Sequence, residues 1–359
     1  MKRGIHFISL ILVVAAYIVV KSPAAIVAIK PFWFDLYALG DLYRYSFLAE
    51  YKDTTQICLP PPASGKSSNL NLYIIGDSFA GPFEKANFPN AKNYSFANWN
   101  HISQSTIRVH TDTNAFNILI LQCSEKHMIM RLEKNTYKSF LFRVDHKTAK
   151  NPFQGFEYST KAETPLESVT KYIGRQAVTD QNMGILLFSN PAVLKIKEAK
   201  AELNQSVFGK IAEEVEEYPT KKMLVQRMTT DLNFRYMSSF CPHPDTELDS
   251  LIKNLEKMNH YYRKAGFDTV LLAIVPNPIS VINPKYKGRT YNQLLPRIER
   301  QVSGLGVISV FDTFGVGKEK YFRKGDSHWN KTGASVWQHA VNSKLNSFVD
   351  TRSSRNRNL

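Results

Sequence analysis

The chain has 359 residues, of which 43% are apolar and 21% charged, and this composition excludes a disordered polymer and allows a large core with a subdomain. The formal net charge of +15 either keeps the protein soluble or indicates an anionic partner, such as a polysaccharide or a lipid surface. Nucleic acid is not expected, because the basic residues are spread along the chain and no nucleic-acid-binding motif occurs.

The N-terminus combines basic residues with a long apolar run. Lys2 and Arg3 precede Ile5–Val20, which predicts a secretory signal or an uncleaved signal anchor; a buried N-terminal helix is the alternative. An anchor is favoured because apolar character resumes at Ala24–Ile29 and no A-x-A cleavage site follows the first run. Lys2 and Arg3 would then hold the amino end in the cytoplasm, which predicts a single-pass inner-membrane protein with its main domain outside.

The rest of the chain is expected to divide by composition. Residues 1–30 form the anchor, and residues 31–68 form a juxtamembrane segment and linker. Aromatic residues crowd the start of that segment, as at a membrane interface or in a helix packed on the main domain. Residues 69–348 form the folded domain, with an insertion at about 145–235, and residues 349–359 are a basic tail.

The stretch Leu70–Pro82, LNLYIIGDSFAGP, reads as a buried parallel strand that ends at Gly76. In open α/β sheets the residues after such a strand reach the carboxyl edge, where ligands bind. Ser78 would stand in this turn, as a nucleophile or as an ordinary turn serine.

A second motif lies near the other end of the chain. Asp326 and His328 occur in GDSHWN, and residues two apart in an extended loop project to the same side. A serine nucleophile needs a base, and the base needs a carboxylate to orient it. We therefore expect Ser78, His328 and Asp326 to form a catalytic triad. The alternative for His328 is a loop histidine held by Asp326, and Trp329 is expected to fix this loop by packing.

Alternating apolar patterns predict the remaining elements. Short strands are expected at Lys92–Ala97, Phe116–Leu121, Phe267–Val275 and Val307–Phe311. Helices are expected at Gly184–Phe188, at Ala192–Val207, from Asp245 or Thr246 to Gly266, at Tyr291–Val302, and after Asn330 or Thr332. The fold class is therefore α/β, a three-layer α/β/α domain with a parallel sheet of about five strands.

The GDS turn on the first strand, combined with a late Asp/His pair before the last helix, resembles the SGNH/GDSL hydrolase superfamily. The D-x-H-W form at Asp326–Trp329 is similar to the SGNH-like domains of bacterial polysaccharide O-acetyltransferases of the alginate acetylation type. Those proteins carry D-x-H before the serine, whereas this chain has the serine first. The resemblance implies a flavodoxin-like sheet and a Ser-His-Asp acyl-transfer site.

The resemblance also implies oxyanion donors, of which the Ser78 N–H is the first. The family's glycine after the second strand is absent here, so Asn98 or Asn100 would serve in its place. The family's G-x-N-D asparagine is absent as well, and Gln122 is the candidate there. Losing one such donor lowers the rate about a hundredfold or more.

The resemblance implies an O-acetyltransferase acting on a polysaccharide outside the cytoplasm, with a multi-span membrane acyltransferase as possible partner. A simple carbohydrate esterase, or a non-catalytic glycan-binding or scaffold component, is the alternative. No cofactor or metal is expected, since the segment Cys241-Pro-His243 lacks further ligands at zinc spacing. Cys58 and Cys241 could pair, and Cys123 is expected in the core.

Overall fold

The computed structural model describes residues 2–22, 28, 36–53, 64–65, 68–99, 106–112, 114–132, 155–159, 190–218, 220 and 222–355. The strands are β1 Leu70–Gly76, β2 Asn93–Asn98, β3 Thr106–His110, β4 Phe116–Ser124, β5 Gly155–Ser159, β6 Val215–Tyr218, β7 Met223–Gln226, β8 Thr269–Val275, β9 Lys285–Tyr286, β10 Arg289–Thr290 and β11 Gly306–Val307. The α-helices are α1 Lys2–Lys21, α2 Tyr43–Ser46, α3 Glu125–Leu132, α4 Pro191–Phe208, α5 Asp245–Lys264, α6 Pro278–Ile282, α7 Leu294–Gln301, α8 Phe311–Gly317 and α9 Lys331–Arg355.

The chain divides into two compact units. The first contains the described residues up to 53, those from 190 to 224, and Lys324–Asp326. Its core joins Leu42, Leu48 and Tyr51 to Val215 and Leu224. The segment after residue 35 therefore contributes to a core inside this unit, and its two sequence-based alternatives, a membrane interface and a helix packed on the main domain, stay predictions.

The second unit is built on a five-stranded sheet in the order β11-β8-β4-β1-β2. Every pair of neighbours in this sheet is parallel. Counted along the chain, the strand order is 2-1-3-4-5, the doubly wound order in which ligands bind where the winding reverses. That switch point lies between β1 and β4, and the α/β prediction with a parallel sheet is confirmed.

Side-chain alternation places a helical layer on each face of this sheet. Tyr73 and Ile75 of β1 share one core cluster with buried residues of α3, α5 and α7. Leu72 and Ile74 are equally buried but point to the other face. The ring of Phe116 in β4 contacts that of Phe348 in α9, with centroids 5.8 Å apart, and this places α9 on the second face.

Several predicted elements differ from the structure in extent. The predicted strand Val307–Phe311 is wrong beyond Val307, because Phe311 begins α8. Helix α5 is capped at Pro244, without a side-chain hydrogen bond, and not by Asp245 or Thr246. The predicted helix Gly184–Phe188 lies outside the described residues. Among the described residues, no helix is long and apolar enough to cross a membrane.

Candidate active site

Ser78 occupies the turn that follows β1 at the switch point of the sheet. It is exposed, whereas its neighbours Asp77 and Phe79 are buried. The carbonyl of Asp77 accepts hydrogen bonds from the N–H groups of Ala80 and Gly81, both at 3.1 Å, and these bonds close the turn. The hydroxyl of Ser78 is therefore presented to solvent from a buried frame.

The turn brings Ser78 against His328, 250 residues later in the chain. Ser78 Oγ lies 2.7 Å from His328 Nε2, a normal hydrogen-bond distance. With the imidazole proton on Nδ1, Nε2 accepts from the serine hydroxyl, as a general base must. The sequence-based prediction that these two residues converge is thus met by the geometry.

Aromatic packing fixes the position of His328. Its ring packs against the ring of Phe79 in a tilted arrangement, with a centroid distance of 4.6 Å and an angle of 36°. The indole of Trp329 meets Phe79 edge-on at 5.1 Å and also contacts Trp337 of α9 at 5.7 Å. Because Trp329 is only 7% exposed, it acts as the packing anchor that the sequence predicted.

Backbone hydrogen bonds hold the same loop from behind. The N–H of Arg323 donates to the carbonyl of His328 at 3.3 Å, and the N–H of Asn330 donates to the backbone carbonyl of Tyr321 at 2.9 Å. The Asn330 side chain then caps α9, accepting from the N–H groups of Thr332 and Gly333. His328 is therefore carried on a loop tied at both ends.

Asp77 is the hub of a buried network under the serine turn. Its carboxylate accepts from the N–H of Phe79 at 3.0 Å, from Gln122 Nε2 at 3.0 Å and from the N–H of Ser124 at 2.7 Å. Gln122 Oε1 in turn accepts from the N–H of Asp77 at 2.9 Å. These bonds join the ends of β1 and β4, and sequence reasoning missed this role although Asp77 belongs to the GDS motif.

This network changes the interpretation of Gln122. Its side chain is fully buried, and both ends of its amide bind Asp77. An amide without exposed surface does not face an ester outside the protein. Gln122 is therefore a support for the serine turn, and the sequence-based interpretation of it as an oxyanion donor is not supported by these contacts.

Gly76 is required by the closeness of this packing. A Cβ at this position would lie 2.6 Å from Gln122 Oε1 and 2.9 Å from the Cβ of Ala80. Both distances are below normal contact, so any larger residue would push apart the groups that hold Asp77.

The backbone N–H of Ser78 points to no acceptor among the described residues, whereas the N–H groups of Phe79, Ala80 and Gly81 are all bonded within the turn. If Ser78 acts as a nucleophile, this N–H is the donor that a developing oxyanion needs. Asn98 ends β2 and pairs in register with Gly76, so it reaches the same sheet edge. Asn100 lies outside the described residues.

Asp326 is buried, with 3% of its surface exposed, and it precedes His328 by two residues. It belongs to the first unit, where the carbonyl of its neighbour Gly325 accepts from the N–H groups of Leu42 and Tyr43. The role of Asp326 as the carboxylate of a catalytic triad stays a prediction.

A second serine–histidine contact lies nearby and differs in character. Ser124 Oγ is 3.1 Å from His127 Nδ1, but Ser124 is only 2% exposed and no substrate can reach it. Burial, assisted by the charge of Lys126, lowers the pKa of His127 to about 4. His127 is therefore neutral at physiological pH, and this pair is structural.

Lys126, which the sequence did not single out, also touches the histidine loop. Its Nζ lies 2.8 Å from Gln226 Oε1 and 3.3 Å from the hydroxyl of Ser327, the residue before His328. Helix α3, which carries Lys126, begins directly after Ser124, whose N–H donates to Asp77. The start of α3 therefore contacts both the serine turn and the loop that carries His328.

Comparison of the chain with protein-family models, curated proteins and solved structures finds no match. The interpretation of the site therefore depends on its geometry and chemistry.

Proposed function

We propose that this protein is a serine acyltransferase or esterase of SGNH type. The observation that carries the proposal is the 2.7 Å contact between Ser78 Oγ and His328 Nε2 at the switch point of a doubly wound sheet. Ser78 attacks the carbonyl carbon of an ester, and His328 takes the hydroxyl proton and later returns it to the leaving alcohol. The free N–H of Ser78 binds the oxygen that becomes negative.

Two further residues complete the proposed site. Asp326 holds the Nδ1 proton of His328 and stabilises the imidazolium that forms during attack. Asn98, at the end of the strand next to β1, supplies a second oxyanion donor. Gln122 and Asp77 shape the turn from beneath it. The acyl-enzyme on Ser78 is then resolved by water in an esterase or by a sugar hydroxyl in a transferase.

The substrate we propose is the O-acetyl group of a polysaccharide outside the cytoplasm, with a multi-span membrane acyltransferase as the partner that supplies it. Support comes from the D-x-H-W motif and from the net charge of +15, which suits an anionic polymer. The proposed inner-membrane location rests on the sequence of the N-terminus alone.

The activity test uses the full-length protein and a chromogenic acetyl ester. Ser78→Ala should lower turnover at least about a thousandfold, because a triad acts as a unit. Ser124→Ala is the matched control, since it removes the hydroxyl of the other serine–histidine contact, and it should keep turnover within about threefold of the parent. Absence of turnover in the parent would favour the scaffold alternative instead.

A second assay identifies the acceptor. The parent protein is incubated with an acetyl donor and an oligosaccharide, and the sugar is weighed by mass spectrometry. An acetyl increment that disappears in Ser78→Ala supports transfer. Release of free acetate without any increment would assign the protein as an esterase.

A further inference from the structure

One side of helix α4 packs inside its own unit, and the opposite side is apolar but exposed. One side faces its own unit: Leu194 is 1% exposed, Glu198 accepts from Tyr43 and from Lys52 at 3.0 Å, and Gln205 donates to Glu217 at 2.8 Å. The opposite side carries Ile196, Leu203 and Val207, which are 67%, 56% and 61% exposed. A contiguous row of exposed apolar residues marks a surface that contacts a partner.

The exposed residues form a seam, which we define as Ala192, Ile196, Ala199, Leu203 and Val207; all five are exposed. Their spacing of four, three, four and four residues follows one face of a helix, as in the seam of a coiled coil. The two alanines lie seven residues apart, and small side chains let two helix backbones approach closely.

The order of large and small residues in the seam is nearly symmetric about Ala199. If a second copy of α4 packs antiparallel, Ile196 of one copy meets Leu203 of the other, and Ala192 meets Val207. Ala199 then meets its own counterpart near the twofold axis. The seam is therefore complementary to itself, as an isologous interface requires.

Charges beside the seam select the same arrangement. Lys195 and Glu202 each precede a large seam residue and lie on the same flank. Both are exposed, and within the described part of the chain neither has an ion-pair partner. In the antiparallel pair, Lys195 of each copy faces Glu202 of the other, within about 3 Å along the axis. A parallel pair would instead place Lys195 beside Lys200 of the second copy.

We propose that the seam of α4 docks against the same seam of a second copy of this chain, antiparallel, to form a dimer with two Lys195–Glu202 ion pairs between copies. Lys200 lies on the other flank near the twofold axis, where it meets its own counterpart. This one like-charge contact weakens the dimer and provides a test.

The first test is sedimentation equilibrium of the full-length protein. Lys195→Glu and Glu202→Lys should each weaken dimerisation by about tenfold, because each turns two attractive pairs into repulsive ones. The double variant should recover the affinity of the parent. Lys200→Gln should tighten the dimer by removing the like charges. Lys285→Glu, an exposed lysine in β9, is the control with the same charge change and should have no effect.

Disulfide cross-linking tests the direction of packing. Ala199→Cys should form a covalent dimer on mild oxidation, above the background set by the native cysteines. Ala192→Cys should not, because in the antiparallel pair the two copies of this residue lie about 22 Å apart along the axis. Cross-linking at both positions would mean parallel packing and would overturn the proposal.

Two other outcomes would also overturn it. A parent protein that stays monomeric at all concentrations has no such interface. If Ala199→Cys fails to cross-link while Lys200→Gln weakens binding to vesicles of anionic lipid, the seam contacts a bilayer rather than a second copy. None of these readouts depends on catalytic activity, so the dimer and the acyl-transfer site fail or succeed separately.

Discussion

At the scale of single residues, the buried carboxylate of Asp77 organises the site more than its position in the motif suggests. A charge with 5% of its residue surface exposed is unfavourable unless hydrogen bonds replace the lost water. Three N–H donors from the turn, from Gln122 and from Ser124 provide that replacement. The same bonds set the position of Ser78, so one group both stabilises the turn and positions the proposed nucleophile.

We expect Asp77→Asn to affect both properties. The amide keeps the shape but places an NH₂ group against an N–H donor, which leaves a buried bond unmade at a cost of about 1–3 kcal/mol. Denaturant unfolding should show that loss. Turnover of the chromogenic ester should fall at least about tenfold, since a displaced nucleophile reacts slowly.

Asp231→Asn is the matched control for this change. Asp231 accepts from the N–H two residues later, at 2.9 Å, as Asp77 does from Phe79, but its contact is exposed. Both stability and turnover should stay near the parent values. Equal losses in the two variants would show that the network beneath Ser78 has no special role.

At the scale of elements, the start of α9 links helix stability to the histidine loop. Asn330 Oδ1 accepts from two N–H groups of the first turn. Asn330 Nδ2 donates to the carbonyls of Lys320 and Phe322, at 2.8 and 3.2 Å. One side chain therefore caps the helix and ties down the segment before the His328 loop.

We expect Asn330→Ala to lower the free energy of unfolding by about 1–2 kcal/mol, the usual effect of a lost N-cap. It should also lower turnover, because the loop that carries His328 loses its tether. Asn330→Asp keeps the capping oxygen and loses the two donors, so it should recover much of the stability while turnover stays low.

The cap of α4 provides the comparison. Asn190 accepts from the N–H of Val193 at 3.0 Å, far along the chain from the site. Asn190→Ala should lower stability by about 1 kcal/mol and leave turnover unchanged. If Asn330→Asp keeps full turnover, the tether to the loop has no part in catalysis.

Elements with a clear period could be predicted from the sequence. The buried strands β1, β4 and β8 and the helices α4, α5 and α9 lie close to their predicted positions, because each shows one apolar face or one continuous apolar run. The strand predicted at Val307–Phe311 is wrong beyond Val307, since a short apolar run fits a strand, a loop or a helix start equally. The pairing of β3 with β5 was not foreseen, because periodicity says nothing about which distant strands meet.

The site shows the same limit. Ser78 and His328 could be placed together because both follow strands of one sheet and the carboxyl edge is shared. The contacts of Gln122 with Asp77 could not be predicted, because the sequence gives the place of Gln122 after a strand but not the direction of its amide. The bonds from Asp77 to Gln122 and Ser124 could not be predicted, since they depend on the register between β1 and β4.

At the scale of the whole molecule, two carboxyl groups that affect each other, Glu125 and Glu299, carry raised pKa values. Glu125 Oε2 accepts from the N–H of Asn277 and from the hydroxyl of Ser280, both at 2.7 Å. Burial nevertheless raises the pKa of Glu125 above its ordinary value. Burial also raises the pKa of Glu299 to about 7, with Asp312 and Glu125 adding to the shift. The folded protein therefore holds protons that the unfolded chain releases.

The sign of the resulting pH dependence follows from proton counting. Between the ordinary pKa of a glutamate, about 4.3, and the raised pKa of Glu299, about 7, Glu299 binds more protons in the folded state than in the unfolded state. The contribution of Glu299 to stability must then fall as pH rises through this window and level off above it. His127, whose pKa burial lowers to about 4, has the opposite sign and makes stability rise with pH up to about 6.5. Glu299 alone contributes a fall of up to about 4 kcal/mol.

We expect Glu299→Gln to remove most of that fall, because glutamine keeps an acceptor for Ser309 and cannot ionise. Urea unfolding at pH 5 and pH 8 gives the free energy of unfolding of the variant and of the parent. The variant should be more stable than the parent at pH 8 and only slightly more stable at pH 5. Glu256→Gln is the control, since Glu256 also accepts from a serine hydroxyl, at 3.1 Å, but is exposed. An equal effect of Glu299→Gln at pH 5 and at pH 8 would mean that the Glu299 carboxyl ionises without cost in the folded protein.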